Sequence, residues 1–254
     1  MSVSENRAGS AGAGSAGDRA VRADALQAED ELLAVLAGAG AVLAPHRGTT
    51  VALSYGSAAG ELAACLSGVG IAVRSELAIL ELTGPASGLE HAIDGLLGGV
   101  LAPGGIRRGP ATGWYRDGER RLLALCDTAH RERLRARLEF WTLREPTLSC
   151  DDLSEALTAI AVIGSRTGEV LRSLSVYGPA GDLRTVAPVT RVAREPSTLW
   201  LLRAGDDALA LTPRANGPAL WRRISEAGRP CRICAVGREA LTRYRLLTRA
   251  GAAG

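Results

Sequence analysis

Residues 79–97 read ILELTGPASGLEHAIDGLL. Ile79, Leu80 and Leu82 make a short apolar run, Gly84 and Pro85 break it, and Leu89 and Ile93 then recur at helical spacing. This is the grammar of a strand, a turn and an amphipathic helix. The same grammar returns in RLLALCDTAHRERLRARL (121–138), AIAVIGSRTGEVLRSL (159–174) and ALALTPRANGPALWRRISEA (208–227). The helical pairs there are Leu134 and Leu138, Val170 and Leu174, and Leu220 and Ile224. Each helix follows its strand with room for only a short loop.

Further strands fit between these units. Thr50–Leu53 is a weak candidate, whereas Pro188–Val192 and Thr198–Leu202 are better ones. A helix is expected over Asp24–Leu36, with Leu32, Leu33 and Leu36 on one face, and a last one over Arg238–Arg249. Clustered arginine near the end of that last helix suits its dipole. Residues 1–22 form a Ser/Gly/Ala tail that cannot bury enough apolar surface to offset ordering entropy, so they are expected to be disordered. Residues 23–254 are then expected to form a single α+β domain of two pseudo-repeated, plait-like halves. A doubly wound parallel sheet is the competing architecture. The interspersed strands, and the lack of a glycine-rich phosphate loop after any strand, argue against it.

Composition excludes several functions. Lysine is absent from all 254 residues. No Schiff-base lysine or P-loop lysine can exist, which argues against pyridoxal-phosphate and Walker-type chemistry. A net charge of +3, with arginines scattered among acids, gives no nucleic-acid stripe. No apolar run suits a membrane span or a signal peptide. The five cysteines are an odd number, as expected of reduced thiols in the cytosol.

The order of segments resembles the folate-binding fold of the glycine-cleavage T-protein (aminomethyltransferase) family, over about residues 45 to 249. Gly60–Pro85 is similar to the family's glycine-bearing loop, Asp-x-Ser turn and strand ending in Gly-Pro. Ala159–Leu174 is similar to its second strand, turn and helix. Ala219–Gly237 is similar to its Leu-Trp helix and short loop, and Val236-Gly237-Arg238-Glu239 to its Gly-Ala-Arg-Asp segment. The family's C-terminal barrel has no counterpart in this sequence. The resemblance implies a pocket in the middle of the domain that binds tetrahydrofolate. There a carboxylate accepts N–H groups of the pterin edge and an aspartate positions the folate nitrogens.

The sequence departs from that pattern at both acids. Pro110, Ala111 and Thr112 stand before the Gly113–Arg116 strand, where the catalytic aspartate is expected, and the preceding hairpin looks shortened. The pterin acid falls near Ala210, with Asp206 and Asp207 just upstream. Val73 replaces the aspartate of the Asp-x-Ser turn, although Ser75 remains. No catalytic residue is therefore assigned. The candidate ligand-binding residues are Tyr55, Arg74, Trp114, Asp206 and Arg238. The aromatic pair would stack on a planar ligand, and a guanidinium would hold a carboxylate or phosphate bidentately. The bland alternatives are core packing for the aromatics, surface ion pairs for Glu61 and Arg74, and an Arg238–Glu239 pair.

Cys231 and Cys234 form a lone Cys-x-x-Cys without further ligands nearby, so no metal is expected. His46, His91 and His130 are isolated, and Asp127-Thr128 reads as a helix cap rather than as part of a nucleophilic site. The expected function is a diverged, cytoplasmic member of the family that binds a folate-like or other flat molecule, with tetrahydrofolate as the implied cofactor. The alternative is a non-catalytic subunit of a multimeric oxidase, or another interaction module, with a protein partner.

Overall fold

The computed structural model describes residues 16–109, 111–174, 189–194, 197–204 and 206–251. The chain begins with α1 (Ala16–Gly38), β1 (Val42–His46), β2 (Thr49–Ser54), α2 (Ala58–Ser67) and β3 (Gly70–Val73). It continues through β4 (Leu77–Thr83), α3 (Ala86–Leu97), β5 (Ile106–Arg108), β6 (Thr112–Arg116) and β7 (Arg121–Asp127). Next come α4 (Arg131–Arg144), β8 (Ser149–Asp152), β9 (Leu157–Ile163) and α5 (Thr167–Ser173). The last third holds β10 (Val189–Arg194), β11 (Ser197–Ala204), β12 (Asp207–Pro213), α6 (Gly217–Ala227), β13 (Cys234–Ala235) and α7 (Arg238–Gly251).

All four strand–turn–helix units stand where the periodicity puts them, as β4–α3, β7–α4, β9–α5 and β12–α6. The three extra strands are present as β2, β10 and β11, although Pro188 lies outside the described residues. The first helix is longer than expected. It starts at Ala16 and so takes in seven residues placed by composition in the tail, while residues 1–15 lie outside the described ones. Ala- and Arg-rich sequence has enough helix propensity to extend a helix whose later turns are anchored by packing. Leu32 and Leu36 supply that anchor, both buried.

The strands make two main sheets. One has the order β5-β6-β7-β4-β8 and the other β10-β11-β12-β9-β3-β13, with β1 and β2 as a separate hairpin. The two orders are the same pattern twice. The hairpin β6–β7 sits beside β4 as β11–β12 sits beside β9. Strand β3, from the start of the chain, occupies the edge of β9 that β8 occupies on β4. The pairings are antiparallel except β13 with β3, which sets aside the doubly wound parallel alternative for the described residues.

Side-chain alternation along these strands builds the layers. On β4 and β7, Ala78, Leu80, Leu82, Leu122, Ala124 and Cys126 face α3 and α4, where they meet Leu89, Ile93, Leu134 and Leu138. The opposite face presents Ile79, Leu123 and Leu125, which meet Leu157, Ala159, Leu202 and Leu211 of the other sheet. That sheet turns Ile71, Ile160, Val162, Ala208 and Ala210 outward, under α1, α5 and α6. Burial of Leu220, Trp221 and Ile224 against it contributes about 2 kcal/mol per side chain. The result is four layers, helix–sheet–sheet–helix. Helix α3 stops at Gly98, whose left-handed conformation lets its N–H reach Asp94 O at 2.7 Å. No helix among the described residues is long and apolar enough to cross a membrane.

Candidate functional site

Where the inner faces of the two sheets diverge, they leave a cavity of about 350 Å³. Leu77, Gly113, Tyr115 and Leu125 line it from one sheet, and Ala161, Ile163, Leu202, Leu209 and Asp207 from the other. The β3–β4 turn adds Arg74, the end of β5 adds Arg108, and α7 adds Arg245 and Thr248. The volume is in the range of small-molecule sites, and an apolar wall with a few convergent polar groups is their usual chemistry.

Tyr115 is the aromatic side chain of this cavity. It lies over Gly113, where an added Cβ would come within 2.8 Å of its ring and hydroxyl. Burial raises the pKa of Tyr115, while Arg108, Arg245 and Arg74 pull the other way. The phenol therefore keeps its proton and can donate. Arg74 is 4% exposed and pairs through its Nε with Glu76 Oε1. Its Nη1 is buried without a hydrogen-bond partner among the described residues. Burial brings the Arg245 guanidinium down to about 9, helped by the charge of Arg74. Glu76, Asp207 and Tyr115 oppose that shift.

Two carboxylates reach the cavity wall. Asp127 is engaged by Arg47 at 2.7 Å and by the Ala129 N–H at 2.9 Å. Asp207 uses Oδ1 to accept from the Tyr244 hydroxyl at 2.9 Å and the Gly164 N–H at 3.1 Å. Its Oδ2 makes no hydrogen bond among the described residues.

The residues singled out from the sequence fall in several places. Arg74 lines the cavity. Trp114 does not, because it precedes Tyr115 in a strand and so points to the opposite face. There it packs under α3 and α4, with the Arg137 guanidinium 5.9 Å from its ring, and borders a separate hollow of about 340 Å³. Tyr55 stacks on Trp221 with ring centroids 6.5 Å apart, on the outer side of the second sheet. Asp206 is exposed, and its neighbour Asp207 takes the place in the wall. Arg238 opens α7, half-buried, with no ion pair to Glu239 among the described residues. Neither Glu61 nor Arg74 is a surface ion pair. Glu61 is 3% exposed and accepts two main-chain N–H groups, from Tyr55 at 2.6 Å and Gly237 at 2.8 Å. Ala210 points away from the cavity, into the core beneath α6. Ala111 and Thr112 border the cavity, while Pro110 lies outside the described residues.

Arg245 and Tyr115 are not among the candidate ligand-binding residues read from the sequence, and Asp207 enters that reading only as the neighbour of Asp206. The strand period could have exposed the Trp114/Tyr115 choice, since Leu123 and Leu125 on the paired strand share a face with Tyr115. Nothing local distinguished Arg245 from its arginine neighbours. The cysteines are free thiols, and no metal-binding cluster occurs among the described residues.

No protein-family model matches this sequence, and no curated protein matches it. Solved structures do. Aminomethyltransferase T of the glycine cleavage system from Bartonella henselae is similar with a TM-score of 0.66 at 17% identity, over 83% of this chain and 59% of that one. This chain therefore spans under two thirds of the length of that enzyme. A chain of the heterotetrameric sarcosine oxidase from Corynebacterium sp. U-96, solved with pyrrole 2-carboxylate, is similar at 21% identity. It covers 67% of this chain and 92% of its own, with a TM-score of 0.47. The first likeness establishes the fold: an α+β architecture of the T-protein type.

Proposed function

We propose that this protein binds a flat, folate-like small molecule in the cavity between its two sheets, without carrying out authentic aminomethyl transfer. The observation that carries this reading is the cavity itself, about 350 Å³ and walled by both halves of a T-protein-type fold. Tetrahydrofolate is the cofactor the fold family implies, and the donor set suits a flat heterocycle. Asp207 would accept ring N–H groups through Oδ2, Tyr115 would contact a ring face, and Leu77, Leu125 and Leu209 would exclude water. Bound there, the folate would supply one-carbon chemistry. Alanine at 210 and the engagement of Asp127 by Arg47 speak against a general base arranged as in the family.

The test is a thermal-shift titration with 5-formyltetrahydrofolate. Ligand at 100 times its dissociation constant stabilises the folded state by about 2.7 kcal/mol, a rise of several degrees. A saturable rise that Asp207→Asn weakens supports the reading. No rise at millimolar ligand retires folate as the occupant.

A second reading, a non-catalytic subunit of a larger assembly, draws support from Phe140 and Leu143 on α4, which are 49% and 82% exposed. Light scattering of the chain co-expressed with its genomic neighbours tests it. A lone monomer in every combination removes it.

A further inference from the structure

The arginines of the cavity present an electrostatic problem. Arg245 sits half-buried on α7, and its guanidinium has no hydrogen bond and no carboxylate within 4 Å among the described residues. Arg74 faces the same space, spends its Nε on Glu76 and leaves Nη1 buried and unpartnered. A guanidinium short of partners is costly where water is excluded, as at buried Arg74, and the second positive charge of half-buried Arg245 raises that cost. Charged groups held short of partners in a cleft are characteristic of sites that a ligand completes. The charges around the space do not complete it here. Among the described residues Asp127 is held by Arg47, Asp207 by neutral donors, and the Glu76 carboxylate by Arg74. Arg108, exposed at the rim, adds a third positive charge.

We infer that the cavity is an oxyanion receptor. Arg74 and Arg245 hold a carboxylate or phosphate group of the ligand, Tyr115 donates a hydroxyl hydrogen bond to it, and Arg108 draws the ligand in. Guanidinium groups bind such planar or tetrahedral oxyanions through paired N–H donors, most strongly where water is excluded. Leu77, Leu125, Leu202 and Leu209 supply apolar surface for the rest of the molecule. The ligand class is thus a small organic acid or phosphate ester with one compact anionic end. Arg74 also borders a hollow of about 40 Å³ under α1, large enough for a water molecule that could satisfy Nη1. The Arg245 guanidinium is the one of the two without a carboxylate partner among the described residues, and so the experiment turns on it.

This inference deepens the cavity reading and rests on it. The test uses the full chain at constant ionic strength, with inorganic phosphate, benzoate and the neutral isostere benzamide as probes. Phosphate or benzoate is expected to raise the melting midpoint in a saturable way, and benzamide to leave it unmoved. Which of the two anions acts distinguishes a phosphoryl from a carboxyl ligand. Arg245→Gln is expected to leave the midpoint of the ligand-free protein level or higher, because it removes a half-buried cation without a side-chain partner among the described residues, and to abolish the anion response. Arg135→Gln, on the exposed face of α4, is expected to leave that response intact. Equal responses to benzoate and benzamide would overturn the inference. So would an anion response that survives Arg245→Gln, or a fall in the ligand-free midpoint of that variant, since the arginine would then be structural. If 5-formyltetrahydrofolate binds Arg245→Gln at full strength, the receptor is overturned while the cavity reading stands. An Arg245-dependent anion response without folate binding retires folate alone.

Discussion

Glu61 and Gly237 are 176 positions apart in the chain, yet the buried carboxylate of the first accepts the main-chain N–H of the second at 2.8 Å. The other carboxylate oxygen takes the N–H of Tyr55 at 2.6 Å. One side chain on α2 thereby ties the end of β2 to the start of α7. Gly237 is the residue that permits it, because a Cβ there would lie 2.2 Å from the Leu53 carbonyl oxygen. The clasp matters for the cavity, because α7 carries Arg245 into its wall.

Glu61→Ala should therefore leave two main-chain donors unsatisfied beneath the surface and destabilise the fold by about 3 kcal/mol. Glu61→Gln keeps one acceptor and should cost less. Urea denaturation of both variants checks the order, and a Glu61→Ala midpoint equal to that of the parent would contradict the clasp.

The neighbours Trp114 and Tyr115 should separate stability from binding. Trp114→Ala empties the core under α3 and α4 and is expected to cost about 3–5 kcal/mol. Tyr115→Phe removes only a hydroxyl and should change stability by less than about 1 kcal/mol, while weakening an anionic cavity ligand several-fold. Denaturation and benzoate titration on each variant decide this. Binding that follows Trp114 and ignores Tyr115 would reverse the assignment of faces.

Gly113→Ala places a methyl group against the Tyr115 ring. The ring must shift, at a strain of about 1–3 kcal/mol. The expected outcome is a modest loss of stability with a clear loss of ligand affinity, measured by melting and titration on the same sample.

Acid should unfold the protein partly through Asp127 and Asp152. Burial alone would raise both pKa values. Hydrogen bonds from the Ala129 N–H and Arg47 to Asp127, and from Ser154 and Arg131 to Asp152, outweigh it and hold both below the ordinary 3.8. A carboxyl depressed in the folded state stabilises it above the unfolded pKa and loses that contribution as pH falls through the folded value. The melting midpoint should be flat above about pH 5 and fall steeply below about pH 4. Asp152→Asn should flatten the fall, and an unchanged slope would remove Asp152 from the account.

The Cys65 and Cys126 thiols should be inert in the folded state. Burial first, then neighbouring carboxylates among other groups, pushes Cys65 up to about 12 and Cys126 up to about 11. Few thiolates form at pH 8 under those conditions, so neither cysteine is expected to alkylate without denaturant. Peptide mass spectrometry after iodoacetamide treatment, with and without urea, reads this directly.

The sequence by itself determined the local units. Period-2 and period-3.6 apolar patterns, punctuated by Gly84-Pro85, Asp127-Thr128 and their counterparts, placed the repeated strands and helices, and with them the α+β class. These signals are local because each is written in a few consecutive residues whose backbone preferences and burial agree. What the tertiary structure decided is everything that depends on residues distant in the chain. It chose which face of β6 looks into the cavity, so that Tyr115 lines it and Trp114 does not. It buried Glu61 against a glycine at the far end of the chain, and set Asp207 rather than Asp206 in the wall. It also brought Arg74 from a turn and Arg245 from the last helix to one space. Charge, burial and partner are properties of a neighbourhood, and the neighbourhood exists only once the two halves have packed face to face.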